Sequence, residues 1–269
     1  MHQVWHLSPS GEILHTWGSY GTAPGQFNEP CDVAVDALGD VYVADTWNHR
    51  VQKFTAEGEF LLSWGRLAEV DGNDASGWGA FFGPRGVAID SQGAVLDATG
   101  GGGGETTGTS VIYVADTGND RIQAFDSEGQ FLRVFGSSGD GLGQLDEPVG
   151  LAVGADGLVY VADTWHRRIQ VFDPNGLPLQ AWEMPVWANL RLDDRPHLAV
   201  TADAVLATDP VYQRILVYST MGEPQQALRD LDSAPVLGGI DLTAEGVVVS
   251  DRMLSELVVY PFDDGDRDP

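Results

Sequence analysis

The chain has 269 residues, a formal net charge of −26 at pH 7, 43% hydrophobic residues, 34 glycines and a single cysteine, Cys31. That length suits one large all-β domain. One cysteine excludes an internal disulfide framework and a cysteine-based zinc cluster, and no apolar run approaches the ~20 residues that span a bilayer. So acidic a surface, with Lys53 its one lysine, repels nucleic-acid phosphates and anionic lipid headgroups, so neither nucleic acid nor direct membrane insertion is expected.

The first residues, MHQVWHLSPSGEILH, lack the basic region and apolar stretch of a signal peptide and read as part of the fold. Gln3 to Gly18 align without gaps on Arg50 to Gly65, so the chain opens on a third-type and a fourth-type strand of a repeat. The first full unit, Gly25 to Gly65, holds four short strands: CDVAV, VYVADT, RVQKFT and FLLSWG. β-Branched and aromatic residues fill them, and Gly, Pro, Asp and Asn separate them. The unit recurs at Gly79 to Gly136 and Gly143 to Glu183, and more faintly over about 195–230 and about 235–262. The second copy carries an insertion, Ala94 to Ser110, whose run of five glycines reads as a flexible loop and lacks the GxxxxGK[ST] of a phosphate loop. Residues 1–262 are expected to form one domain, and 263–269 an acidic disordered tail.

Four units carry an Asp and an Arg five residues apart: Asp45 and Arg50, Asp116 and Arg121, Asp163 and Arg168, Asp209 and Arg214. The Asp ends the second strand and the Arg opens the third, so a hairpin brings them side by side as structural pairs. In the last unit Glu256 stands where that Arg would be. Four-stranded antiparallel units repeated every 40 to 50 residues or so are the pattern of propeller blades. The elements P-x-x-V-A-V, Y-V-A-D-T, N-x-R-[VI]-Q and F-x-x-x-G resemble NHL repeats across nearly the whole chain. The resemblance implies an all-β, NHL-type β-propeller, six-bladed in most members, and also extends to propeller regions appended to membrane-anchored bacterial proteins. If the chain is part of such a protein, it would be extracytoplasmic. Five first strands are visible, near Cys31, Arg85, Val149, His197 and Gly239. The expectation is a six-bladed type with a truncated first blade; the alternative is a five-bladed ring closed by the N-terminal strand.

In a propeller the turns between second and third strands share a face with the connectors, and the first residues of the first strands ring the channel mouth. The candidate binding face is therefore Cys31, Asp32, Arg85 and His197, with Trp47, His49, Trp165, His166 and Tyr212 from the turns. Arg85 could pair with Asp32, and a Cys31–His197 nucleophile pair would need contact across the channel. Amidating lyases, which resemble this repeat family, hold zinc with channel histidines, but only His197 occupies such a position. Lactonase-like propellers hold calcium with channel carboxylates, and Asp32 is the one carboxylate in the first four such segments. No metal site and no cofactor are expected, calcium being the single candidate. The reading is a non-catalytic binding module for a protein or glycan partner; the alternative is a hydrolase or lyase with a metal in the channel.

Overall fold

The computed structural model describes residues 2–8, 12–70, 75–90, 110–190, 194–225, 237–242, 246–251 and 256–261. Strands β1 (Val4–Leu7) and β2 (Ile13–Trp17) pair as a two-stranded sheet. Three complete antiparallel meanders follow. The first blade is β3 (Pro30–Val35), β4 (Val41–Asp45), β5 (Arg50–Phe54) and β6 (Phe60–Trp64). The second is β7 (Gly86–Asp90), β8 (Val111–Asp116), β9 (Arg121–Phe125) and β10 (Phe131–Phe135). The third is β11 (Pro148–Val153), β12 (Val159–Asp163), β13 (Arg168–Phe172) and β14 (Pro178–Glu183). Two three-stranded sheets complete the order: β15 (Leu198–Val200), β16 (Ala204–Asp209) and β17 (Arg214–Ser219), then β18 (Leu237–Leu242), β19 (Gly246–Asp251) and β20 (Glu256–Pro261). Helical structure among the described residues is limited to short 3-10 turns, none long and apolar enough to cross a membrane.

Stacking explains the weak alternation of the second strands. VYVAD in β4 and β12 and VIYVAD in β8 are buried at every position, because each sheet has a neighbour on both faces. Tyr42 of one blade shares a core cluster with Ile112 and Phe125 of the next, and Tyr160 shares one with Val205 and Tyr218. The closest inter-blade contacts select glycine. A Cβ on Gly58 would lie 2.5 Å from Trp17, and one on Gly129 would lie 2.8 Å from Trp64, so a fourth-strand tryptophan packs flat on the hairpin of the following blade.

The gapless match of Gln3–Gly18 to Arg50–Gly65 is reproduced in space. Trp17 sits on the first blade as Trp64 sits on the second. His2 Nδ1 accepts the Glu29 N–H at 3.0 Å, as His49 Nδ1 accepts that of Gly83 at 3.1 Å. β1 and β2 therefore behave as the outer half of a blade preceding the first.

First strands adjoin in series around the channel: β3 beside β7, β7 beside β11, β11 beside β15 and β15 beside β18. The chain is thus an all-β propeller of four-stranded antiparallel blades, but the six-bladed type is not what the described residues form. Among the described residues three sheets have four strands, and five first strands cannot begin six complete blades. A smaller ring is compatible with that count. Closure of the last sheet by the N-terminal strand is not seen either: β1 pairs with β2, and β20 pairs with β19 alone. The Ala94–Ser110 insertion (apart from Ser110) and the 263–269 tail lie outside the described residues.

Candidate functional site

The repeated polar residues of each blade are spent on placing its connector. Asp45 Oδ1 accepts the Asn28 N–H at 2.7 Å, and its Oδ2 accepts Arg50 Nε at 2.8 Å, Asn48 Nδ2 at 2.9 Å and Gln52 Nε2 at 3.0 Å. The rest of the Arg50 guanidinium holds the connector carbonyls of Thr22, Ala23 and Gln26. Asp116, Asn119, Arg121 and Gln123 repeat this arrangement around Phe82, Gly77 and Ala80. In the third blade His166 takes the place of the Asn, with Nδ1 3.0 Å from both Asp163 oxygens. The fourth keeps the Asp209–Arg214 pair at 2.9 Å but has Tyr212 and Leu216 where Asn and Gln stand elsewhere. Burial raises the Asp116 carboxyl above its usual range, against the pull of Asn119, the Phe82 N–H and Arg121.

In the first three blades this network ties each turn to its connector, so both lie on one face. The turn N–H groups of Trp47, Gly118 and Trp165 donate to the connector carbonyls of Asn28, Phe82 and Asp146. Each turn closes on a left-handed residue, His49 (φ 54°), Asp120 (φ 52°), Arg167 (φ 54°) or Gln213 (φ 52°). In two blades the side chain of that residue links to the next blade: His49 accepts from Gly83 and Asp120 from Glu147. Burial lowers the pKa of His49 against the opposing influence of Asp116 and Asp45, which keeps its Nδ1 available as an acceptor.

The turn residues divide by exposure. Trp47 is 41% exposed and donates Nε1–H to Glu29 Oε2 at 3.0 Å; Tyr212 is 59% exposed and lies against the Arg214 guanidinium, 5.2 Å from ring centroid to Cζ. Trp165 is half-buried. His166 is held at both ring nitrogens, its Nε2 lying 3.0 Å from Asp140, so its contacts are those of the blade.

At the channel four blades converge. Cys31, half-buried at the head of β3, donates its thiol proton to the Glu29 carbonyl at 3.4 Å and accepts from Arg195 Nη1 at 2.8 Å. Arg195 comes from the connector into β15, so this contact crosses the mouth. Burial pushes the Cys31 thiol up; Arg195, Thr46 and Arg85 oppose that shift, and Asp32 adds to it. Thr46 Oγ1 is buried beside the thiol without a hydrogen bond of standard geometry. Asp32 does not take Arg85 as its partner. Its Oδ2 accepts the Val87 N–H at 2.9 Å, and its Oδ1 lies 4.0 Å from His197 Nδ1. Arg85 instead approaches Glu147, at 3.9 Å.

These positions define the available chemistry. Cys31 and His197 are both at the mouth but do not pair, because His197 faces Asp32 and the thiol is held by Arg195 and Glu29. With its pKa raised, the thiol is a weak nucleophile at neutral pH. Among the described residues no three His, Cys, Asp or Glu side chains gather closely enough to hold a metal ion. Arg195 is the mouth residue that sequence reasoning missed. It lies in a connector with no counterpart in the other units, and only ring geometry brings it to Cys31.

The NHL repeat family profile matches residues 27–54 and 145–172, the first and third blades. The human NHL repeat-containing protein 3 is 32% identical over 127 residues, covering 45% of this chain and 30% of that protein. The Drosophila melanogaster protein brain tumor is 31% identical over 122 residues, covering 45% of this chain and 10% of that protein. The chain thus spans less than a third of either relative. Among solved structures, a chain of the nidogen/laminin complex superposes with a TM-score of 0.62 at 16% identity, covering 96% of this chain and 85% of that one. Virginiamycin B lyase from Staphylococcus aureus superposes with a TM-score of 0.59 at 13% identity, covering 95% and 72%. Identities that low establish the propeller fold and nothing further.

Proposed function

Because the chain belongs to the NHL-repeat β-propeller family, we propose that it is a non-catalytic binding module whose channel-mouth face seats a protein or glycan partner. The observation that carries this reading is the placement of Trp47 and Tyr212. Both project from rigid turns of that face, 41% and 59% exposed, while the conspicuous charged residues around them are consumed by the blades. Large aromatics fixed on a rigid frame give contact area at little entropic cost, which is why they recur in binding hot spots. The Asp45-Asn48-Arg50-Gln52 network supplies that rigidity at Trp47, and Asp209, held by Arg214 and by the Tyr212 N–H, supplies it at Tyr212.

The test is affinity enrichment from the native host with quantitative detection. Wild-type protein is compared with a Trp47→Ala/Tyr212→Ala variant and with Leu38→Ala, whose 87% exposed side chain lies on the hairpin face at the other end of the blades. A specific partner lost from the first variant and kept by the second supports the reading. Equal retention by both removes it.

A second reading, a channel-metal hydrolase or lyase, draws on the approach of Asp32 and His197 to 4.0 Å. Stoichiometric zinc or calcium in purified protein, lost with chelator and accompanied by loss of a hydrolytic or lyase activity, would favour it over the binding module.

A further inference from the structure

Two sets of arginines among the described residues contrast. Those of the first and third blades are nearly saturated: Arg50 donates to Asp45, Thr22, Ala23 and Gln26, and Arg168 to Asp163, Asp140, Gly141 and Gln144. The two at the channel mouth are not. A guanidinium carries five N–H donors. Arg195 places one of its donors on the Cys31 sulfur, a weak acceptor, while its Nε–H is buried with no acceptor among the described residues. Among the described residues Arg85 makes no side-chain hydrogen bond, and the carboxylate that approaches it is Glu147 at 3.9 Å, itself 39% exposed.

A buried guanidinium donor without an acceptor is costly, and native proteins rarely tolerate one unless something else meets it. Asp32, the described carboxylate at the mouth, does not fill that role. Asp32 is turned onto the Val33 and Val87 N–H groups and towards His197. The Cys31 thiol is neutral and offers only weak acceptance. Arg195 touches the Cys31 thiol directly, and Arg85 leads into β7, the strand beside β3, close enough to favour the charged form of the same thiol.

We propose that Arg85 and Arg195 form a binding site at the channel mouth for a small oxyanion, a carboxylate or phosphate group held between the guanidiniums above the Cys31 thiol. Two guanidiniums offer the forked donors that match such an anion in geometry as well as charge. The site is independent of the partner-binding reading: it needs neither Trp47 nor Tyr212, and it would serve a free metabolite in a molecule that binds no protein.

Cys31 is the only thiol in the chain, which makes it a reporter at the site itself. The experiment compares its alkylation by iodoacetate, which carries a carboxylate, and by neutral iodoacetamide. Both reagents consume the same thiolate, so the ratio of their rates cancels the thiol pKa and reads the local preference for an anion. In the folded full chain at 0.15 M salt, that ratio is expected to exceed the ratio measured on the urea-unfolded chain, despite the overall charge of −26. Arg195→Gln and Arg85→Gln should each lower it about five- to tenfold, the order expected for one charge removed at close range in a partly solvated site. Arg195→Lys, which keeps the charge, should retain most of the preference. Inorganic phosphate or acetate, added at constant ionic strength, should protect the wild-type thiol, and whichever protects at lower concentration identifies the preferred anion. A folded-state ratio no higher than the unfolded one overturns the site, as does a ratio unchanged in both Gln variants. Lack of reaction with either reagent overturns it too, since the mouth would then be closed to small anions.

Discussion

Removing Arg121 should destabilise the protein far more than removing Arg214, although the two occupy the same repeat position. Arg121 and Asp116 are fully buried, and the Arg121 guanidinium also holds the Gly77 and Ala80 carbonyls at 2.7 and 3.3 Å. Arg121→Ala would leave the buried Asp116 carboxylate without its counter-charge and the Gly77 carbonyl without its side-chain donor, a loss of about 3–5 kcal/mol. Arg214 is 27% exposed and donates to Asp209. Water can reach the buried Asp209 carboxylate from the Arg214 side, so removal of Arg214 should cost about 1 kcal/mol, towards the range of exposed pairs. For a chain of this size those figures correspond to falls in Tm of about 6–20 °C and about 2–4 °C respectively. Thermal unfolding followed by circular dichroism, with urea midpoints as a second measure, reads both variants. The double variant Asp116→Asn/Arg121→Met should lose less than Arg121→Ala alone, because it leaves no isolated charge. Shifts for the two Arg→Ala variants within about 1 kcal/mol of each other would refute the assignment of these pairs as buried connector clamps graded by exposure.

Other expectations test the blade contacts. Gly79 and Gly129 share a left-handed backbone (φ 69° and 73°), but a Cβ at Gly79 meets nothing within 4 Å, whereas at Gly129 it meets Trp64 at 2.8 Å. Gly79→Ala should therefore cost only the strain, about 1–2 kcal/mol, and Gly129→Ala a further loss of about 1–3 kcal/mol from overpacking, read from urea midpoints. The His49 latch makes a pH prediction. Its pKa is lower in the folded protein than in the unfolded chain, so its stabilising contribution is complete above about pH 6.5 and is lost as pH falls through the folded value. His49→Asn keeps an acceptor and tolerates the left-handed backbone. It should match wild type at pH 7.5 and exceed it at pH 5 in urea unfolding; parallel pH profiles for the two would count against the latch.

Much of the scaffold was legible because it repeats. The Asp-Arg spacing, the four strand types and the gapless N-terminal match all recur, and recurrence separates blade chemistry from site chemistry. His166, expected on the binding face, is scaffold by the same spacing: three residues after its Asp, it stands where Asn48 and Asn119 stand and makes their hydrogen bond. The turn-and-connector face followed from meander topology. The number of blades did not, because spacing along the chain does not fix how many sheets surround the axis or whether the N-terminal strands pair with the last blade. The channel contacts were hidden for a related reason. Cys31 with Arg195, and Asp32 with His197, join residues over 160 positions apart, and neither pair recurs to give it away.

The central claim is that the blades are scaffold and the channel mouth is the functional face. The most direct test is partner retention by the Trp47→Ala/Tyr212→Ala variant against Leu38→Ala, with unfolding midpoints of both matched to wild type. The account predicts that the mouth variant loses the partner and the Leu38 variant keeps it. Loss in the Leu38 variant with retention in the mouth variant would contradict it.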